Sequence, residues 1–357
     1  MDALLWHTQA LTPAPAPPEP VLLREFSTLS TQDQDEYWTR MHRWMCASTL
    51  DCDRTAAIRR GMDRVLQRNE YARSGAKTII GLSAPNGVGK STFIKFYAQD
   101  RYQRMMHDQP VDKLPSRTDS GGSPSHWIPQ VYITLRAASE VPDVNAAILS
   151  YLGYPIMGRT TKDTTLLVHA VARHGVKLLI LDDAHMLRAK QARARDVLDY
   201  VKFLNTMMGE RDGTLVLVGA NMEGGPVYQD PQVAARLRAF ALQPSTVQQD
   251  TTERVAWQQL LAGAEKKFMP YLDSATEGTL TRELAGQIWA RTQGHLGDTH
   301  QLITTALLDA FDQGDTTLVS EHLQGVRLSA RAEAAEADLA REATLTSRRE
   351  QNRKAKR

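Results

Sequence analysis

Residues 78–92 read TIIGLSAPNGVGKST, and residues 177–183 read KLLILDD. The first stretch joins a short apolar run, of the kind that forms a buried strand, to a loop of small residues. A segment with helical patterning, 90–107, begins at the loop's end. Small residues let consecutive backbone N–H groups turn inward around an anion, and a helix that starts there adds the positive end of its dipole. On this pattern Ala84, Pro85, Asn86, Gly87, Val88, Gly89, Lys90, Ser91 and Thr92 form a phosphate-binding loop for ATP. Lys90 reaches the β- and γ-phosphates, and the Ser91 hydroxyl ligates Mg²⁺. Ala84 stands where the consensus has glycine, and alanine is small enough to be tolerated.

The second stretch is uniformly apolar, as parallel strands buried on both faces are, and it ends in two carboxylates. Asp182 lies 92 positions after Lys90. A nucleotide-bound Mg²⁺ needs a carboxylate at a strand end, and Asp182 fits that place. Asp183 occupies the position where many ATPases carry the glutamate that polarises the attacking water. Aspartate is one methylene shorter, so hydrolysis is expected to be slow or to need adjustment.

Outward from these motifs the chain alternates strands with helices. Strands are expected at 127–135, 214–218 and near 240–242, with Pro129 delaying the start of the first. Helices are expected at 144–152, 164–173 and 195–208. A polar stretch, 108–125, reads as a mobile loop. This alternation predicts an α/β fold with a parallel sheet covered by helices on both faces. The strand at 127–135 falls between the loop strand and the Asp182 strand, as in additional-strand ATPases of the AAA+ class. After Pro244 only helical patterning remains, at 251–268, 282–290 and 300–311, which predicts a small all-helical lid. The expected organisation is a disordered Pro-rich arm (1–28), an N-terminal helical segment (29–76), the α/β core (77–245), the lid (246–328) and a charged, helical or disordered basic tail (329–357).

Further site residues follow from position. Asn221 directly follows the 214–218 strand, where such ATPases place a polar residue that senses the γ-phosphate. Arg236, with Arg238 nearby, is the candidate for an arginine offered to a neighbouring subunit's γ-phosphate. Gly294 and Gly297 let the lid backbone approach the nucleotide. Where lids of this class usually carry a phosphate-contacting arginine, this chain has only His295 and His300, so that arginine is expected to be missing. These histidines and His185 read as polar structural residues rather than metal ligands.

Composition bounds the rest. The 357 residues are 42% apolar, enough for a core. No apolar run is long enough to span a bilayer, and the N-terminus lacks the blocks of a signal peptide. Cys46 and Cys52 give neither a disulfide framework nor a zinc site, so a soluble cytoplasmic protein is expected. Net charge is +2, yet the last ten residues hold six basic and one acidic, leaving −3 on the other 347. Nucleic-acid contact therefore has to come from local patches or the tail.

Several stretches together resemble the TniB/TnsC-type AAA+ ATPases of transposons, related to the Mu B protein. They are GLSAPNGVGKST, VYITLRAASEVPDVNAAILSYLGYP, LLILDDAHML, LVLVGANM, QVAARLRAFALQP and TQGHLGDTHQLITTALLDAFDQG, within roughly residues 50–325. The resemblance implies an ATP-dependent regulator of DNA transposition. Such a protein assembles with itself into rings or helical filaments on double-stranded DNA, without sequence preference, when ATP is bound. It recruits a transposase, and hydrolysis dismantles the assembly. It also implies DNA-facing residues in loops after the first helix and second strand, for which Arg101, Arg104, Lys113, Arg117 and Arg136 are candidates.

Two other classes share the motifs. A nucleotide-gated switch of the STAND type carries a similar LDDA, but nothing after residue 330 resembles its repeat sensor. A helicase loader or replication initiator shares the ATPase body, and the residues after Leu328 are too few for an initiator's helix-turn-helix domain.

Overall fold

The computed structural model describes residues 1–119, 121–156, 164–187, 194–247, 251–274 and 276–355. Its longer helices are α1 (Ala3–Leu11), α2 (Thr31–Ala47), α3 (Asp53–Tyr71), α4 (Lys90–Met106), α5 (Val141–Tyr151) and α6 (Thr164–His174). They continue with α7 (Ala194–Gly209), α8 (Thr251–Phe268), α9 (Ala285–Thr292), α10 (Leu296–Asp312) and α11 (Ala330–Ala355). The strands are β1 (Ile79–Ala84), β2 (Ser116–Thr118), β3 (Pro124–His126), β4 (Gln130–Thr134), β5 (Leu178–Asp182), β6 (Thr214–Ala220) and β7 (Leu237–Ala241). They build two compact units. The first comprises Met1–Pro13, Arg54–Asn86 and Lys90–Leu242; the second comprises Ala14–Asp53, Gly87–Gly89 and the chain from Gln243 onward.

In the first unit five strands form one sheet in the order β4-β5-β6-β1-β7, every pair parallel. The uniformly apolar runs become its interior, since β1 and β5 are buried at every position. β7 lies at an edge and is largely exposed. β4 starts after Pro129, whose carbonyl accepts from the Lys177 and Leu178 amides at 2.8 and 3.0 Å, so the proline closes the ladder without needing a donor of its own. The strand expected near 240–242 begins earlier, at Leu237, because the Ile79 amide donates to the Arg236 carbonyl and sets its register. Asn69, buried at the end of α3, donates to the Thr78 carbonyl and Thr214 hydroxyl and accepts from the Thr78 amide, which fixes the approach to β1.

The stretch expected as a mobile loop contains a hairpin, β2 paired antiparallel with β3. Asp119 explains it: one carboxylate oxygen accepts from the amides of Gly121 and Ser123, both at 2.9 Å, and closes the turn.

Two expected segments need correction. The first eleven residues are no disordered arm. Asp2 caps α1 through the Leu5 amide, and Ala3, Trp6, His7 and Ala10 form its buried face. The prolines, which begin at Pro13, follow the helix and do not break it. The remainder of the arm packs within the second unit: the Tyr271 hydroxyl donates to the Pro18 carbonyl at 2.7 Å, and Phe26 meets Phe311 edge-on at 5.0 Å. Residues 29–76 likewise form no single segment. α2 buries Tyr37, Met41, Trp44 and Met45 in the second unit's core, whereas α3 buries Ile58, Met62 and Leu66 in the first. Trp44 is buried there, and Cys46 is exposed.

The second unit is helical, with α10 and α8 supplying the largest shares of its core. Arg291, at the end of α9, is buried with its guanidinium bonded to the Leu323 and Val326 carbonyls and to Glu336 of α11. The first turns of the basic tail are thereby tied to the lid helices.

Candidate functional site

β1 delivers the chain to the phosphate loop at Ala84, whose backbone is still extended and paired with β6. Nothing at that position calls for glycine, so the departure from consensus is sterically idle. The glycines matter three and five residues later: Gly87 and Gly89 have φ of +79° and +99°, a region that a Cβ disfavours. α4 then starts at Lys90, with Ser91 half-buried and Thr92 exposed.

Lys90 Nζ lies 3.1 Å from Asp183 Oδ1, which unites the two motifs that are 92 positions apart. Asp182, 1% exposed, is fixed at both oxygens: the Asp183 amide donates to Oδ1 at 2.8 Å and the Tyr132 hydroxyl to Oδ2 at 2.7 Å. Burial, and then the charge of Asp182, push the Tyr132 phenol far above its ordinary value, so it donates. Asp182 has no cation within ion-pair distance among the described residues. A buried carboxylate with that surplus of negative charge suits a divalent ion. No group of three or more His, Cys, Asp or Glu among the described residues could hold a metal. A Mg²⁺ here would therefore rest on Asp182, Ser91 and the nucleotide's own oxygens, as is usual for this ion.

Asp183 and Asn221 both occupy left-handed backbone positions, with φ of +55° and +46°, at the C-terminal ends of the adjacent strands β5 and β6. Aspartate and asparagine tolerate that region better than longer side chains, which gives a local reason for Asp183 where glutamate is usual. The Asn221 amide donates to the Ala84 carbonyl at 3.3 Å, so the residue stands beside the loop's first position. His185 accepts from the Ala220 amide through Nδ1 at 3.1 Å, joining the turn after β5 to the end of β6. It is a structural residue.

Arg236 is exposed in the turn before β7. Leu237 is level with Ile79, at the start of β1, so Arg236 lies roughly 20 Å along the strands from the level of Ala84. It is too far to serve the loop of its own chain. Arg238 lies in β7, opposite Ile80.

The five DNA-contact candidates do not form one patch. Arg136 is exposed just beyond the C-terminal end of β4, whereas Arg117 on β2 packs over Gly175, before β5 begins, at the other end of the sheet. Lys113 is exposed, Arg101 is half-buried on α4, and Arg104 pairs with Asp100 at 3.2 Å.

In the second unit Gly294, at φ +71°, accepts from the Ser245 amide, and a Cβ there would strike the Ser245 backbone. Its close approach is to the chain itself. A Cβ on Gly297 would lie 3.7 Å from the Gly87 carbonyl, within the same unit. His300 is structural, its Nε2 3.0 Å from the Ser48 hydroxyl, with burial lowering its pKa. Burial also lowers that of His295, and the charge of Arg331 acts in the same direction.

Arg331 is the residue that sequence reading missed. Its guanidinium donates to Asp298, the Thr292 carbonyl and Gln293, while Nε has no partner among the described residues. A Cβ on Gly87 would lie 3.5 Å from that Nε. Arg331 lies 34 positions beyond Gly297, on α11.

The sequence matches the family described as "Bacterial TniB protein" over residues 40–246. No curated protein matches it. Among solved structures it is similar to the Aeropyrum pernix ORC1 protein in complex with DNA, with a TM-score of 0.50 and 15% identity over 83% of this chain and 67% of that one. Cdc6p from Pyrobaculum aerophilum gives 0.49 and 16% over 76% and 66%, and Drosophila ORC bound to DNA gives 0.47 and 15% over 90% and 64%. The chain thus spans about two thirds of the length of these structures. The similarity to the Aeropyrum protein is one of fold, which is that of the AAA+ ATPases. Among the described residues no helix is long and apolar enough to cross a membrane.

Proposed function

The chain belongs to the bacterial TniB family, and from that premise we propose that it is an ATP-dependent regulator of DNA transposition. With ATP bound it assembles on double-stranded DNA and recruits a transposase, and hydrolysis dismantles the assembly. The observation that carries the nucleotide half of this reading is the 3.1 Å pair between Lys90 and Asp183, the residue that follows the buried Asp182.

Each residue then has a task. The loop amides and Lys90 hold the phosphates, and Ser91 and Asp182 hold Mg²⁺, which supplies positive charge to the β- and γ-phosphate oxygens. Asp183 orients and polarises the attacking water. Asn221, beside Ala84, registers the γ-phosphate.

Arg236 acts on the nucleotide of a neighbouring copy. Its exposure and its distance from its own loop support this role. Arg236→Ala is expected to leave ATP affinity unchanged and to lower turnover on the order of 10³-fold under conditions where subunits associate. Mixing it with a Lys90→Ala chain, which offers an intact Arg236 but no working loop, decides the point. Partial recovery of turnover is expected, and no recovery at any ratio would count against a role in trans.

The DNA half rests on the family and on charge. Exposed cations such as Lys113 and Arg136, together with the tail's basic excess, suit phosphate contacts rather than base reading. Electron microscopy of the protein with ATP and duplex DNA should show rings or helices that need both ligands. Binding should weaken steeply between 50 and 200 mM salt, on the order of 10³-fold. Particles indifferent to DNA, or a salt-resistant footprint confined to one sequence, would contradict this reading.

A further inference from the structure

We propose that Tyr132 is a positioning residue for the Asp182 carboxylate and that helix α1 holds it there, which makes the N-terminal helix a working part of the nucleotide site. This inference rests on the reading of Asp182 as the residue that holds Mg²⁺.

The geometry begins at the carboxylate. Its Oδ1 is fixed by a backbone amide of its own turn, but Oδ2 is fixed by a side chain from the neighbouring strand, the Tyr132 hydroxyl at 2.7 Å. In the sheet Tyr132 is level with Ile180, and the strand ends of β4 and β5 coincide at Thr134 and Asp182. The phenol therefore reaches forward along the sheet to the carboxylate. Without the hydroxyl, Oδ2 of Asp182 loses its tether and the carboxylate is held at Oδ1 alone. Partners of this kind, which aim a metal-holding group without touching the ion, change metal affinity on the order of 10–100-fold when removed.

β4 is one of the two edge strands of the sheet, so Tyr132 needs support from outside it. α1 provides that support. The indole of Trp6, fully buried, stacks on the Tyr132 ring with centroids 5.1 Å apart and planes 8° from parallel. α1 is itself anchored on α4. His7 Nδ1 lies 2.8 Å from the Tyr102 hydroxyl, His7 Nε2 lies 2.8 Å from the Pro110 carbonyl, and the Gln103 amide donates to the Ala10 carbonyl at 2.6 Å. α4 is the helix that starts at Lys90. One short helix thus braces both the helix of the phosphate loop and the tyrosine that aims the metal-holding carboxylate. A patch of core with no bearing on the site would account for the burial of Trp6. It would not require the ring beneath Trp6 to end on Asp182.

The test is equilibrium binding of a fluorescent ATP analogue to the full chain, titrated with Mg²⁺ and separately in EDTA. Tyr132→Phe is expected to raise the Mg²⁺ concentration needed for half-maximal tightening about tenfold. Affinity in EDTA should stay within twofold of wild type. Trp6→Phe, which keeps a ring to stack, should behave as wild type, and Trp6→Ala should shift the Mg²⁺ dependence in the same direction as Tyr132→Phe. If Trp6→Ala does not fold, Trp6→Leu, which fills the space without a ring to stack, replaces it, and a wild-type Mg²⁺ dependence in the folded variant overturns the role of α1. A wild-type Mg²⁺ dependence in Tyr132→Phe overturns the positioning role while leaving the nucleotide site intact. Absence of nucleotide binding by the wild-type chain overturns the site itself, and this inference with it.

Discussion

Lys90→Ala abolishes useful nucleotide binding, with a fall in ATP affinity of at least about 100-fold, equivalent to roughly 3 kcal/mol. The expectation follows from where the ammonium sits. Lys90 is the first residue of α4, it is only 12% exposed at the side chain, and it is held 3.1 Å from Asp183. Positioned there, the charge is partly desolvated and acts on phosphate more strongly than a surface lysine does. The substitution leaves the backbone amides of the Gly87–Gly89 turn unchanged and puts a good helix former at the start of a helix. Folding is therefore expected to be preserved, and a thermal melt within a few degrees of wild type would establish that. Fluorescence or calorimetric titration measures the loss. Affinity within threefold of wild type would show that the loop is not a nucleotide site.

Asp183→Asn separates binding from turnover. Asparagine tolerates the left-handed backbone at this position, so the substitution changes charge with little change of shape. ATP affinity is expected to be unchanged or a few-fold tighter, because the Lys90 ammonium loses the carboxylate that competes with phosphate. Turnover should fall on the order of 10²–10⁴-fold, the usual contribution of a positioned general base. ATP-dependent assemblies on DNA should then persist instead of dissolving. Hydrolysis at the wild-type rate would show that another group activates the water.

Much of the first unit was legible because its signals are local. The apolar runs at 79–84 and 178–182 could only be strands buried on both faces, and a Gly-rich turn followed by Lys-Ser has one common structural setting. The strand inserted in sequence between them, β4, takes the place beside β5 at one edge of the sheet. What was not legible depended on tertiary partners. α1 was hidden by the prolines that follow it, although Ala3, Trp6, His7 and Ala10 already carry helical spacing. The role of Tyr132 emerges only from register, since 50 residues separate it from Asp182. Arg331 sits in a segment as charged as any solvated tail. Its meaning comes from Asp298 and Gly87, neither of them near it in sequence. Of the residues proposed for DNA, Arg117 and Arg136 lie at opposite ends of one sheet although only 19 positions separate them, because β4 runs its length between them.

The most direct test of the central claim is calorimetric titration of the wild-type chain with ATP in the presence of Mg²⁺. One saturable site per chain is predicted, weakened when EDTA replaces Mg²⁺ and lost in Lys90→Ala. An absence of saturable heat with a folded wild-type protein, or binding that Lys90→Ala leaves intact, would contradict it.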